Sequence, residues 1–275
     1  MKKIKSLAKA GITLMGLAGV LVLSGCSSTG TEATASDGDQ VIIVGTQNDY
    51  PPFAYADESG ELTGFDVEVV QEIDKRLDGY TFEFSATPWD SMFLALESNK
   101  IQMVADQVAK TPEREEKYLF SDESYFAAET VIVVKEGNTD VSTIEDLEGL
   151  NVGALAGDAY TLLLEEHNET AETPINLQYS ESGNPSEILQ EVQNGRLDAY
   201  VNDPIMINDV MEKQDLDLTI VGQSLVNDQM GLVFKKDAQG EEFKALMDPI
   251  IQEMKEDGTL VELSEKWTKG DYIPD

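Results

Sequence analysis

Two reactive side chains are almost missing from these 275 residues: there is one cysteine, Cys26, and one histidine, His167. A lone cysteine excludes an intramolecular disulfide, and with a lone histidine it leaves no metal-ligand cluster of the zinc type. No Walker-type glycine loop is present, so nothing marks a nucleotide-phosphate cradle. The residues call for no metal and no cofactor. Positive charge is scarce as well: 19 Lys and Arg stand against 53 Asp and Glu, for a formal charge of −34. That balance argues against nucleic acid or anionic lipid as a bound partner and reads as a solvated acidic surface. Four of the few cations, Lys2, Lys3, Lys5 and Lys9, crowd into the first ten residues, so losing them makes the rest four units more negative.

Those lysines precede a short apolar run, residues 10–23, and then Leu23-Ser24-Gly25-Cys26. The run is too short for a comfortable membrane span and ends in small residues, the pattern of a cleaved signal peptide over residues 1–25. The last four residues resemble the bacterial lipobox, in which the cysteine is lipidated and becomes the mature N-terminus. Cys26 is therefore the expected lipid anchor. Residues 26–40 are mostly Ser, Thr, Gly, Ala and Asp, which cannot bury a core, and read as a flexible tether. Fully extended, such a tether reaches roughly 45–50 Å.

About 235 residues remain, enough for one large domain or two lobes with a real core. Predicted strands at residues 41–45, a β-branched run, and at 81–85, 130–135 and 151–155 alternate with helical patterns, which predicts an α/β architecture of mostly parallel strands. Asp66, Asp90 and Asn184 are predicted helix caps, and Ser142–Glu145 a capping box ahead of a stop at Gly149. The last long amphipathic helix is predicted over residues 241–257.

In such sheets ligands sit beyond the carboxyl ends of strands. The loops that would meet there hold Gln47 to Phe53, Asp106 to Thr111, Ala156 to Tyr160, and Asn202-Asp203. The middle one, Ala105-Asp106-Gln107-Val108-Ala109-Lys110-Thr111-Pro112-Glu113-Arg114, organises the rest. It reads as a strand end, a loop and a helix start, with Thr111 as N-cap and Pro112 at the first helical position. Arg114 then falls at the third helical position, among free N–H groups at the positive end of a helix. A cation there suits an incoming carboxylate, which a guanidinium grips with two hydrogen bonds. The competing reading is a surface arginine paired with Glu113, Glu115 or Glu116.

From Val41 onward the chain resembles the solute-binding proteins of amino-acid ABC transporters, bacterial solute-binding protein family 3. The residues that carry the resemblance are V-G-T-x-x-x-Y-P-P-F at 44–53, G-x-L-T-G-F-D-V at 60–67, T-P-E-R at 111–114, F-S at 120–121, G-R-L-D-A at 195–199 and D-G-T-L-x-x-L-S-x-K-W at 257–267. Pro88 to Phe93, Asp106-Gln107-Val108 and Glu116-Lys117-Tyr118 resemble the cystine-binding members. The resemblance implies a two-lobed, periplasmic-binding-protein-like type II fold that closes on its ligand. It places lobe one at 41–123 plus 231–275, lobe two at 129–225, and two crossing segments at 124–128 and 226–230. It implies a monomeric, extracytoplasmic, membrane-anchored binding protein that takes an amino acid to an ABC permease and is not an enzyme.

Carried over residue by residue, the resemblance implies that Arg114 takes the ligand α-carboxylate, helped by backbone near Ala109 and Thr111. Asp203 takes the α-ammonium, Tyr50 and Trp89 flank the aliphatic part, and Gln107 adds polar contacts. Asp106, Gly157, Ala159 and Tyr160 are candidates through their loops. Two positions depart from the family. Gln47 stands where many members have an acid. Asp158 stands where the loop usually carries Thr or Ser, and an acid facing a carboxylate would repel it, so Asp158 is expected to point to solvent, cap the next helix, or meet a second ammonium. Trp89 could equally be a core aromatic and Asp203 only a helix cap. His167, among Glu165, Glu166 and Glu169, reads as surface. Two other functions stay open: a dehydratase-like enzyme acting on prephenate or arogenate through a carboxylate, and a tethered sensor.

Overall fold

The computed structural model of the protein describes residues 39–274. The basic leader, the Cys26 motif and all but the end of the tether lie outside these residues. Gln40, expected to end the tether, instead opens the first strand, Gln40–Thr46. Its Ile42 and Val44 are fully buried, as alternate β-branched residues of a strand should be.

Two five-stranded sheets divide the described chain into two lobes. In the first, the order is Tyr80–Ala86, Gln40–Thr46, Met103–Val104, Val233–Lys235, Tyr118–Phe120. In the second it is Asn176–Tyr179, Asn151–Ala154, Ala199–Asn202, Phe126–Lys135, Leu218–Met230. Mostly parallel sheets were the expectation; each sheet in fact has two parallel and two antiparallel pairings. The cause is connectivity. Parallel neighbours need a helical crossover, whereas a chain that returns from the other lobe can pair directly in the opposite sense.

Phe126–Lys135 and Leu218–Met230 make that return. They pair antiparallel from Phe126 opposite Met230 to Lys135 opposite Leu218, with a register shift between Val221 and Val226. Segments 124–128 and 226–230 lie at the end of this ribbon that meets the first lobe. There Met230 bridges Ala109, and Lys110 N donates to Gln229 O at 2.9 Å. The two lobes are thereby stitched directly beside the Arg114 loop.

Helix Phe65–Arg76 turns Val69, Val70 and Ile73 inward, and helix Ala238–Glu256 turns Phe243, Met247, Ile250, Ile251 and Met254 inward. Each such side chain stabilises the fold by about 1.5–3 kcal/mol when fully buried. A ring cluster of Phe53, Phe65 and Phe126, with centroids 4.9–6.4 Å apart, packs beside Tyr50.

Four expected helix starts differ. Asp66 does not cap its helix. The helix begins at Phe65 with Gly64 as N-cap at φ 129, a backbone that L side chains rarely adopt and where a Cβ would meet Phe53 O. The chain therefore turns one step earlier and carries Asp66 inside. Asp90 lies within helix Trp89–Glu97, whose N-cap is Pro88. The Ser142 box closes only a short 3₁₀ turn, Glu145–Leu147, because Asp146 Oδ2, not Glu145, accepts from Ser142 N and Thr143 N at 2.9 and 3.0 Å. Asn184 does cap its helix, accepting from Ser186 N at 2.8 Å. The long helix starts at Ala238, capped by Asp237.

Candidate functional site

Arg114 is the one buried cation among the described residues. Thr111 caps its helix as expected, Oγ1 accepting from Arg114 N at 3.3 Å with Pro112 first in the helix. The guanidinium then turns inward. Nη1 donates to Ala109 O at 3.1 Å, and Nη2 donates to Gly157 O, in the other lobe, at 2.9 Å. Its carbon lies 5.4 Å from the Trp89 ring centroid and 5.6 Å from that of Phe93. No carboxylate oxygen among the described residues lies within 4.0 Å of it; Glu113 pairs with Lys117 instead, at 2.7 Å. The surface-arginine reading is thus replaced by a buried one. Burial draws the guanidinium below its ordinary value, against the nearby Asp158 charge.

Lobe one adds a nest of buried acceptors. Asp106 follows strand Met103–Val104, and its Oδ1 accepts from Gln47 N at 3.0 Å and Thr46 Oγ1 at 3.2 Å. Gln107 sits in the left-handed region at φ 47, unusual for a residue with a side chain. Asp66 holds it there: its two oxygens accept from Gln107 N at 3.0 Å and Nε2 at 2.8 Å. Burial pushes the Asp66 carboxyl up to about 7 against those hydrogen bonds. Burial, then the charges of Asp66 and Asp49, push Asp106 well above the carboxylate range.

Lobe two presents two caps. Asp158 Oδ1 accepts from Thr161 N at 2.5 Å at the start of helix Ala159–Asn168, so of its three expected fates it takes the cap. It does not face solvent, being 6% exposed. Asp203 Oδ1 accepts from Ile205 N and Met206 N at 2.6 and 2.9 Å and caps helix Pro204–Gln214. Burial pushes Asp158 up to about 6 and Asp203 up to about 7, each against its cap hydrogen bonds. Each has a second oxygen, Oδ2, that is buried and has no hydrogen-bond partner in the protein. Asn202 precedes Asp203 and accepts from Tyr50 Oη at 2.9 Å, a further bond between the lobes.

Several of these groups line a cavity of about 30 Å³, room for little more than water. Of the expected site residues, Gln47, Tyr50, Trp89, Asp106 and Gln107 line it, as do Ala109 and Arg114 from lobe one. Asp158, Ala159 and Tyr160 line it from lobe two. Thr111, Gly157 and Asp203 do not. Thr111 N is spent on Ala109 O at 3.0 Å and its hydroxyl on the helix start, while Gly157 contributes the carbonyl that holds Arg114. Asp203 is set behind Asn202. Trp89 serves both of its readings, lining the cavity while packing edge-on against Phe93 at 5.6 Å.

The profile of the bacterial extracellular solute-binding proteins, family 3, matches residues 42–270. The chain belongs to that family. It is 32% identical over 264 residues to the L-cystine-binding protein TcyJ of Bacillus subtilis (strain 168), covering 96% of each chain. It is 33% identical over 255 residues to the L-cystine-binding protein TcyK of the same organism, covering 92% of this chain and 93% of the relative. A solved structure described under glutathione import via GshT and the cystine ABC importer TcyBC of Streptococcus mutans superposes with a TM-score of 0.80 at 27% identity, covering 86% of this chain and 98% of that one.

The family membership and the two-lobed type II fold that the motifs implied are therefore established. As a member of solute-binding family 3, the chain is extracytoplasmic, and no described helix is long and apolar enough to cross a membrane. Two cavity residues were not anticipated, Leu155 and Pro185, and Asn202, placed at the ligand end by its loop, had no role assigned. Asn202 was legible as the polar end of a buried strand, one residue before a helix cap. His167 is half-buried rather than surface, its Nε2 lying 3.2 Å from Glu148 Oε1.

Proposed function

We propose that this protein captures an amino acid, with cystine favoured, by closing its two lobes, and hands it to an ABC permease. One observation carries the reading: Arg114, a buried guanidinium without a carboxylate partner, faces a cavity between the lobes. A buried cation is costly unless something negative meets it, and an α-carboxylate is a geometric match. Asp203 supplies the complementary charge for the α-ammonium, because its cap uses only Oδ1 and leaves Oδ2 free. Asp203 is not part of the cavity wall, so this contact requires Asn202 to yield as the ligand enters.

The protein works as a binding protein and not an enzyme, as a monomer, and is held at the membrane by lipid on Cys26. The relatives' names support the binding role and favour cystine. Calorimetric titration of the purified full chain with the twenty amino acids, cystine and glutathione tests the reading. Saturable binding of cystine or another α-amino acid, without turnover, is the expected result. Heat with none of the α-amino acids rejects it.

A further inference from the structure

Helix Pro204–Gln214 of lobe two is held to lobe one at both ends. At its start, Asn202 accepts from Tyr50 Oη, inside the ligand site. At its far end, outside that site, Lys269 Nζ donates to Glu212 Oε2 at 2.9 Å. Beside it, Lys213 Nζ lies 4.9 Å from the centroid of the Tyr55 ring while pairing with Asp209 at 2.9 Å. Tyr50 and Tyr55 belong to one hairpin, in which strand Asp49–Tyr50 pairs with strand Ala54–Ala56. That hairpin touches the helix at its start and again in its last turn. Between the two ends lies a cavity of about 200 Å³. Ile205, Asn208 and Glu212, on one face of the helix, line it from lobe two, and Pro52, Trp267 and Tyr272 line it from lobe one. It shares no lining residue with the ligand cavity. The lobes therefore meet here through long side chains rather than through close packing.

The charge of the two lobes makes those side chains count. In lobe two, residues 129–225 hold 20 Asp and Glu against three cations, Lys135, Arg196 and Lys213. In lobe one, residues 41–123 and 231–275 together hold 29 against 12. Two bodies of like charge resist approach. Arg196 is spent on Glu191 within its own lobe, whereas Lys213 reaches across to Tyr55. Lys269 in turn brings a cation of lobe one to an acid of lobe two. The side chains of Lys269 and Glu212 are 81% and 72% exposed, and so open a pair adds little to folding. Its partners belong to different lobes, however, so parting the lobes breaks it. The same holds for the cation above the Tyr55 ring.

We propose that Lys269 with Glu212, and Lys213 with Tyr55, form a latch outside the ligand cavity that sets how often the lobes are together before ligand arrives. Apparent affinity rises with the population of the closed arrangement, so the latch tunes affinity without touching the ligand. Because helix Pro204–Gln214 carries the latch at one end and the Asp203 cap at the other, whatever moves one end is felt at the other. This inference rests on the lobe closure given under Proposed function, but its first reading needs no ligand.

The test exchanges charges in the full chain. Lys269→Glu and Glu212→Lys each set like charges face to face, and the double exchange Lys269→Glu/Glu212→Lys restores an attractive pair. Small-angle scattering without ligand should show a larger radius of gyration for each single exchange and a parent-like one for the double. Titration with cystine should then be about three- to tenfold weaker for each single exchange and within about twofold of the parent for the double. Tyr55→Leu removes the ring and no charge, and should move both readings in the same direction by less. Circular-dichroism melts check folding, and Tyr55→Leu carries the test if a charge exchange does not fold. A parent-like ligand-free radius in the variants that break a contact overturns the latch, and so does a double exchange as open as the single ones. Radii that shift and recover as expected, with no binding of cystine or of any other amino acid, keep the latch and reject the amino-acid reading.

Discussion

Arg114 Nη2 donates to Gly157 O at 2.9 Å, so the buried cation of lobe one ends on the backbone of lobe two. Gly157 sits at φ 75 with open space where a Cβ would be, and the turn it makes delivers its carbonyl to the guanidinium. A neutral carbonyl is a weak partner for a charge, and a carboxylate is a stronger one. Under the proposed function, ligand entry would exchange a poor partner for a good one at the seam between the lobes and so couple binding to closure.

Removing that guanidinium leaves a bound carboxylate buried and unpaired. The cost is about 2–5 kcal/mol, or a loss of about thirtyfold to several thousandfold in affinity. Arg114→Ala should show it by calorimetry. Arg114→Lys keeps the charge and loses the two-pronged grip, so it should still lose at least about tenfold. Parent-like binding by Arg114→Ala would mean that no anion site exists there.

Asp203 allows its two roles to be separated. Asp203→Asn keeps an oxygen for Ile205 N and Met206 N but loses the charge, so it should weaken binding by at least about thirtyfold and leave the ligand-free melt nearly unchanged. Asp203→Ala also loses the cap, which adds a destabilisation of about 1 kcal/mol. If Asp203→Asn binds as the parent does, Asp203 is a cap and nothing more.

Much of this site was legible because the sequence marks it locally. Thr111-Pro112 announces a helix start that puts Arg114 at its third position, although the segment alone left a surface arginine equally open. What was not legible depends on contacts distant in sequence. Asp66 looked like a cap by position, yet its oxygens are spent 41 residues away on Gln107. The antiparallel half of each sheet arises because strands return from the opposite lobe, which no window of periodicity can see. Asn202 joined the site through Tyr50, 152 residues earlier. Asp158 was recognised as out of place but not resolved, since solvent, cap and ammonium differ only in which way a carboxylate points.

Tyr50 Oη to Asn202 Oδ1 is another of the bonds across the lobes. Tyr50→Phe removes it and leaves Asn202 Oδ1 still accepting from Asp203 N at 2.7 Å. The closed form should lose about 1 kcal/mol relative to the open one. Small-angle scattering should show a smaller radius of gyration with cystine than without, and Tyr50→Phe should need more ligand to reach it. A radius that ligand does not change would exclude lobe closure.

The proposed anchoring rests on Cys26. One acyl chain holds a protein to a membrane weakly, and stable attachment needs more than one. The diacylglyceryl group that a lipobox implies would meet that need. Cys26→Ser should move the protein from the membrane fraction to the soluble one. A variant that still sediments with membranes would show that the anchor lies elsewhere.

The buried carboxyls make a prediction about pH. Asp66 and Asp203 are held at about 7 and Asp158 at about 6, all above their ordinary 3.8. The folded protein thus holds these protons more tightly than the unfolded chain does. The stability they contribute is full below about 3.8 and is lost as pH rises through about 6–7. The ligand-free melting temperature should therefore rise as the pH is lowered from about 8 to about 5. Ligand reverses the preference, because an ammonium beside Asp203 favours the ionised form and expels its proton. Binding near pH 6.5 should release protons, and affinity should fall as the solution is acidified. Calorimetry in buffers of different ionisation enthalpy reads the proton count directly. A heat of binding independent of buffer would mean that Asp203 is already ionised without ligand, or that no ammonium reaches it.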